Sequence, residues 1–279
     1  MITEAERSYM YEHGYVPEHV PEYVSAISGA EPYLVDDFVV YVDVGRLIFI
    51  GYPLKGSFKV RVSEKSFRRA LKQFGPERAS LIGPHVPSNI VNTASVSRDH
   101  YYRLEFSGLR IPQKVRNMIS RASREVIVAK SRNFGEEHRA LIDDFLMRHS
   151  VPEATRSIFA RISEYVRASE TAILFEARDS DGRLVAFDVA ESGAKEHFFY
   201  LFNFSSGVLY VPGASDLLMA EMIREASVRG KRFMNMGLGI DQGVTFFKTK
   251  WGGRPFLPCV GCEYTVSRKE TVNALLDKL

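Results

Sequence analysis

The sequence predicts an α/β chain, α+β in the strict sense, with a central sheet that is mixed but mostly antiparallel and flanked by helices. Three observations predict it. Three strand-like runs follow one another from Thr171 to Phe204, the first two joined at Asp181-Gly182, a strong hairpin turn signal. A helix-like segment then ends at Gly230 and gives way at once to a strand, Arg232 to Met236, which makes a strand–helix–strand unit. From Glu125 onward the order β-α-α-β-β-β-α-β-α-β lacks the strict alternation of a doubly wound nucleotide fold.

Residues 17–28 read as a helix entered at Pro17 and Pro21. Phe38 to Asp43 and Leu47 to Leu54 are strands joined across Val44-Gly45-Arg46. Ser63 to Phe74 is helical, with Ser63 as N-cap and Gly75-Pro76 as the stop. Ala79 to Ile82 is a short strand, His85 to Arg98 a loop, and Tyr101 to Phe106 a strand. Residues 1–110 thus read as a small α/β unit of their own, and 111–279 as a second domain. Lys114 to Arg124 is an amphipathic helix with Val115, Met118, Ile119 and Ala122 on one stripe. Glu125 to Lys130 is a strand, and two helices follow, marked by Leu141, Ile142, Phe145 and Leu146, then by Ile158, Phe159, Ile162, Tyr165 and Val166. After the hairpin and the strand His197 to Phe204, Ser215 or Asp216 caps a helix running to about Val228. Gln242 to Lys250 is a short helix, Pro255 to Val266 is extended, and Lys269 to Leu279 is a helix.

Hydrophobic residues make up 45% and charged residues 25%, the balance of a globular chain able to bury a sizeable core. The first ten residues, MITEAERSYM, are charged and lack an apolar signal core, so no secretion signal is expected and the chain is expected to be cytoplasmic. No apolar run reaches the length of a membrane span. A net charge of +3 is too small for bulk nucleic-acid binding. From Arg110 to Arg132, however, seven basic residues stand beside one acid, Glu125. The only cysteines, Cys259 and Cys262, have no second pair to complete a zinc site and sit in an apparent strand, where they read as ordinary thiols. No His spacing supports a metal site.

The segment Asn235 to Gly253 (NMGLGIDQGVTFFKTKWGG) reads as a strand end, a glycine-punctuated loop, a short helix and a turn. Together with KVRNMISRASRE at 114–125, Asp181-Gly182-Arg183 with Val185-Ala186-Phe187, and Gly213-Ala-Ser-Asp-Leu-Leu218, it resembles the FemABX-like acyltransferases of the GNAT superfamily. The resemblance covers roughly 113–266 and extends to the C-terminal domain of phosphatidylglycerol lysyltransferases. It implies a tandem GNAT-like fold (acyl-CoA N-acyltransferase fold) with 1–110 as a degenerate first half. It also implies transfer of an acyl or aminoacyl group from acyl-CoA or aminoacyl-tRNA to an amine, with no metal. One departure stands out. The Q/R-x-x-G-x-G/A loop of acetyl-CoA-using relatives is replaced by Val211-Pro-Gly-Ala-Ser-Asp216, and Asp216 would repel a pyrophosphate if it faced one.

Lys248 is the first candidate for the chemistry, because a cation on the short helix can stabilise an oxyanion or hold a phosphate, and the resemblance places the lysine of this FK motif in the catalytic channel. Phe247 is core or channel wall. Asn235 ends the cleft strand, where its amide holds the acceptor or the splayed backbone, or simply initiates a turn. Asp188 and Asp241 are the candidate bases, Asp241 equally a helix cap, with Tyr200 and Glu263 as further options. Val211, Gly213, Ala214, Ser215, Leu217 and Phe247 are the candidates for holding the donor, and Lys114, Arg116, Arg121 and Arg124 for steering tRNA; a solvated helix face is the bland alternative for those four. A catalytically silent ligand-binding module of the same fold is the competing reading.

Overall fold

The computed structural model describes residues 2–87 and 95–266. A chain with runs of β-branched and aromatic residues separated by Gly turns builds, among the described residues, one continuous sheet of eleven strands. They are β1 (Glu31–Val35), β2 (Phe38–Asp43), β3 (Arg46–Ile50), β4 (Arg78–Gly83), β5 (Ser95–Glu105), β6 (Val126–Ser131), β7 (Ala172–Asp179), β8 (Leu184–Glu191), β9 (His197–Ser205), β10 (Phe233–Leu238) and β11 (Arg254–Thr265). Their order across the sheet is β1-β2-β3-β4-β11-β5-β10-β9-β8-β7-β6. Two neighbouring pairs are parallel, β3 with β4 and β9 with β10, and the other eight are antiparallel. Each parallel pair is bridged by a helix, as a parallel connection usually is: α3 (Val60–Phe74) in the first half of the chain and α8 (Ala214–Val228) in the second.

The remaining helices are α1 (Glu4–His13), α2 (Pro21–Ser28), α4 (Gln113–Ala122), α5 (Glu136–Arg148), α6 (Glu153–Ala160), α7 (Ile162–Ala168) and α9 (Gln242–Lys250). They sort by face. In the second half, α4 and α8 cover one side of the sheet, where Val115, Leu218, Met222, Phe175 and Phe198 share a core with Trp251. On the other side α5 and α7 bury Leu141, Ile162 and Tyr165 against Leu174, Phe187 and Phe204. Strand β8 is buried along its whole length, so its two acids, Asp188 and Glu191, are carried into the interior with its apolar residues.

Several expectations are adjusted. The expected helix Ser63 to Phe74 begins at Val60, and its N-cap position is Lys59; Ser63 is buried inside it. Strand β5 starts at Ser95, so the stretch 95–98 assigned to a loop is strand, and residues 88–94 of that loop lie outside the described residues. Helix α1 and strand β1 are additions. The expected helix Lys269 to Leu279 also lies outside the described residues. Among the described residues, no helix is long and apolar enough to cross a membrane.

Candidate active site

The opening in the sheet is made by β9 and β10. They pair in parallel at Phe233–His197, Met234–Phe198 and Asn235–Phe199. There the ladder ends, although β9 runs on to Ser205 and β10 to Leu238. Asn235 explains the break. Fully buried, it donates through Nδ2 to the Tyr15 carbonyl (2.9 Å) and accepts at Oδ1 from the Gly237 N–H (2.9 Å), so both ends of its amide fix backbone. Gly237 sits at φ +76, a conformation that glycine adopts without strain, and the pairing of β10 with β5 slips between Asn235 and Leu238. Both contacts are to backbone, and the bond to the N–H two residues on also fits the turn-initiating reading of Asn235.

Helix α9 starts just beyond the splay. Asp241 is its N-cap, accepting from the Val244 N–H at 2.8 Å, which is the cap reading of that residue. The helix carries Lys248 inward to only 2% exposure. Its ammonium donates to the Leu238 carbonyl and lies 5.9 Å from the centre of the Tyr102 ring. Burial lowers its pKa from the ordinary lysine value to about 8, against the opposing pull of Asp99 and Asp241. A Cβ on Gly237 would stand 3.7 Å from both the Lys248 Nζ and the Tyr200 carbonyl, so these groups converge on the mouth of the splay. Asp99, on β5, was not anticipated. It accepts from the Gly239 (3.1 Å) and Ile240 (2.9 Å) N–H groups and ties the loop that leads into α9.

The other wall is the start of α8. Its N-cap is Gly213, at φ +88, rather than Ser215 or Asp216, because a left-handed residue is needed there. A Cβ at Gly213 would lie 2.6 Å from the Met118 carbonyl, so the glycine also lets α4 cross the head of α8. No side chain caps the first turn of α8, and an uncapped N-terminus favours anions. Ser215 instead faces Asn203 on β9 (3.3 Å), whose amide donates to Asp188. Asp188 is fully buried, its Oδ2 has no hydrogen-bond partner among the described residues, and burial raises its pKa to about 8 against the Asn203 bond. Ala214 and Leu217 are core, while Val211 is half-buried beside that core. Phe247 is half-buried, 6.2 Å from the Tyr200 ring.

Asp216 does not face the opening of α8. It accepts from the Trp251 indole N–H (2.9 Å) and pairs with Lys250 (2.7 Å), so the expected repulsion of a phosphate is neutralised. Lys114, Arg116 and Arg121 are exposed on α4, and Arg124 is exposed in the turn that follows it. Arg116 bonds to the Ile111 carbonyl and Gln113, and Arg121 approaches Glu125 at 3.8 Å. Lys248, Tyr200 and Phe247 thus meet at the splay, Asp188 and Ser215 lie deeper against α8, and the Asn235 amide is turned toward Tyr15. Glu263 is remote from both, on β11 beside Ser80. Asn203 was missed, yet it is an amide set between Phe202 and Phe204 in the aromatic run HFFYLFNF, and that was its signal. Cys259 and Cys262 are free and buried in β11; burial pushes the Cys259 thiol up to about 12. Among the described residues, no group of three His, Cys, Asp or Glu is placed to hold a metal ion.

No protein-family model matches the chain, and no curated protein matches it significantly. Solved structures do match in fold. L-PGS from Bacillus licheniformis superposes with a TM-score of 0.60 at 14% identity, over 99% of this chain and 95% of that one. FemX gives 0.58 at 10% identity, over 96% and 97%. A GCN5-related N-acetyltransferase from Kribbella flavida gives 0.54 at 14% identity, over 89% and 94%. The fold is therefore a GNAT-like tandem fold, a mostly antiparallel sheet flanked by helices, similar to those of L-PGS and FemX.

Proposed function

We propose that the chain is an acyltransferase that passes an acyl or aminoacyl group from an activated, phosphate-bearing donor to an amine at the splay between β9 and β10. The observation that carries this reading is Lys248, buried beside the point where the parallel ladder ends and held at a pKa of about 8. A buried lysine is costly to the fold, and its position against the splayed carbonyls suits one task. As an ammonium it stabilises the oxyanion of a tetrahedral intermediate in a site where water is scarce. Bond making is the attack of the acceptor amine on the donor carbonyl; bond breaking releases the thiol or the ribose hydroxyl, and the amine proton leaves through water or the leaving group.

The donor phosphates are assigned to the head of α8, where Val211, Gly213 and Ser215 border an uncapped N-terminus and the basic face of α4 stands alongside. That arrangement suits the phosphates of acyl-CoA and the backbone of aminoacyl-tRNA alike. The pairing of Asp216 with Lys250 removes the charge repulsion that counted against acyl-CoA, which supports it as a donor despite the altered loop. Similarity to FemX and L-PGS supports the aminoacyl alternative. One observation favours a silent binding module: Asp241 is occupied as a cap and Asp188 is sealed from solvent, so neither serves as a ready base.

Thermal stabilisation by acetyl-CoA, longer acyl-CoAs and CoA, then by charged tRNA, tests the donor, since a ligand of the folded state raises the Tm by mass action. A saturable shift with one class and turnover that is lost in Lys248→Ala, with the fold intact, is the expected result. Binding without turnover of any amine by the wild type would establish the silent module instead.

A further inference from the structure

A second concave site lies on the opposite side of the sheet. Tyr102 and Arg103 are neighbours on β5 and so point to opposite faces. Lys248 lies over Tyr102, whereas Arg103 lines a cavity of about 790 Å³. The cavity stands beyond the carboxyl ends of the first-half parallel pair, bounded by Tyr52 and Leu54 after β3 and Pro84 after β4, and reaches His197 and Phe233 at the start of β9 and β10. Its volume is that of a small-molecule pocket. The first half does not splay there. Gly51 donates to the Ile82 carbonyl at 2.7 Å, and a Cβ on Gly83 would touch the Gly51 Cα at 3.0 Å, so this is not a second acyl-transfer cleft.

The charges in the lining are uneven. Glu12 is paired with Lys195, and Glu196 with Arg232 at 2.7 Å. The hydroxyls of Tyr15 and Tyr52 donate to the Pro53 and Pro258 carbonyls. Arg103 has no carboxylate partner among the described residues. Its guanidinium carbon lies 4.3 Å from the centre of the Phe233 ring and 4.9 Å from that of Phe256, the two rings coming from the strands on either side of β5. Aromatic contact fixes the guanidinium and leaves its N–H edge as the unsatisfied part, a fork that matches a carboxylate or phosphate. His197 beside it is 7% exposed, with Nε2 unpartnered among the described residues. Burial first, then Arg103, keeps its pKa down at about 4, so it is neutral and adds no second charge.

We propose that this cavity is a second ligand site, which takes an organic anion carrying one carboxylate or phosphate on an apolar body, with Arg103 gripping the anion and Leu54, Phe233 and Phe256 enclosing the body. The proposal does not depend on the acyl-transfer reading, because it uses the other face of the sheet.

Titration calorimetry on the full chain tests it, with 3-phenylpropionate and phenyl phosphate as probes and 3-phenylpropanamide as the uncharged control. At least one anion binds saturably at millimolar concentration and the amide does not; whichever anion binds more tightly identifies the head group. Arg103→Gln weakens binding by about tenfold or more, and Arg103→Lys, which keeps the charge without the fork, falls between. Lys248→Ala leaves binding within about twofold, which separates this site from the cleft. In the unaltered protein the anion also shifts the His197 ring proton resonances, a readout independent of any variant's folding. Binding of the amide as tight as that of the acids, undiminished binding by Arg103→Gln, loss of binding in Lys248→Ala, silence of the His197 resonances, or no saturable binding of either anion would each overturn the proposal.

Discussion

Lys248 and Asp188 are both sealed from water, and each is pushed toward neutrality by that burial, one from above and one from below. The sign of each pH effect follows. A lysine titrates near 10.4 in the unfolded chain and at about 8 in the fold. Between those values the unfolded chain holds the extra proton, so stability rises with pH across that window. Lys248→Met should therefore be more stable than the parent at pH 7, by about 3 kcal/mol, while turnover is lost. The advantage should shrink as pH rises from 8 toward 10. Urea denaturation at the two ends of the window checks this, and a Met variant no more stable at pH 7 would contradict the burial argument. Asp188 runs the other way. Its folded pKa is raised to about 8 from an ordinary aspartate value, so its contribution is complete at acid pH and is lost as pH rises through 8. Asp188→Asn keeps the volume and a neutral partner for Asn203. It should flatten the decline of stability between pH 4 and 8 and be at least as stable as the parent at pH 8, as measured by Tm across that range.

At the junction of α4, α8 and α9 two small features add to the shared apolar core. Gly213→Ala would force a side chain to φ +88 and to within 2.6 Å of the Met118 carbonyl, so it should cost about 2–4 kcal/mol and displace the basic helix from the head of α8. Trp251 is the single tryptophan, fully buried, with its N–H on Asp216. Asp216→Ala leaves that N–H unpaired and should cost about 1–3 kcal/mol with a visible change in tryptophan emission; unchanged emission and stability would mean that the bond does not hold α9. The elements themselves were legible because periodicity and turn chemistry agreed, as at Asp181-Gly182 and Gly75. Their ends were less so. Ser63 was given the cap because polar residues cap, but Val60 and Val62 already belong to α3. Gly213 caps without any side chain, which no polar signature marks. Helix α1 did have a signature, the Thr3–Glu6 capping box, but its apolar pattern is weak. In the candidate site, Lys248 and Asn235 were legible from their motif. Asp99 there, and Arg103 in the cavity on the other face, were not, since each acts through neighbours brought together only by strand pairing.

Across the whole molecule, the last strand decides how the halves relate. β11 follows the second half in sequence yet lies between β4 and β5, pairing with β4 from Val260 to Thr265 and with β5 from Arg254 to Glu263. It also supplies Val260, Cys262 and Tyr264 to the core beneath α3. A boundary at 110/111, which we keep as a proposal for the two GNAT-like halves, thus does not coincide with a gap in hydrogen bonding. Cutting the chain there separates β4 and β5 from β11 and leaves unpaired strand edges on both pieces, which favours aggregation over folding. Residues 1–110 expressed alone should be insoluble or unfolded for that reason. The intact chain should unfold in one step, with Trp251 emission in the second half and far-UV dichroism of the whole sheet giving coincident urea transitions. Two separated transitions, or a soluble folded fragment 1–110, would show that β4 and β5 reach a stable pairing without β11, and that the first half is an independent unit to which the second lends a strand.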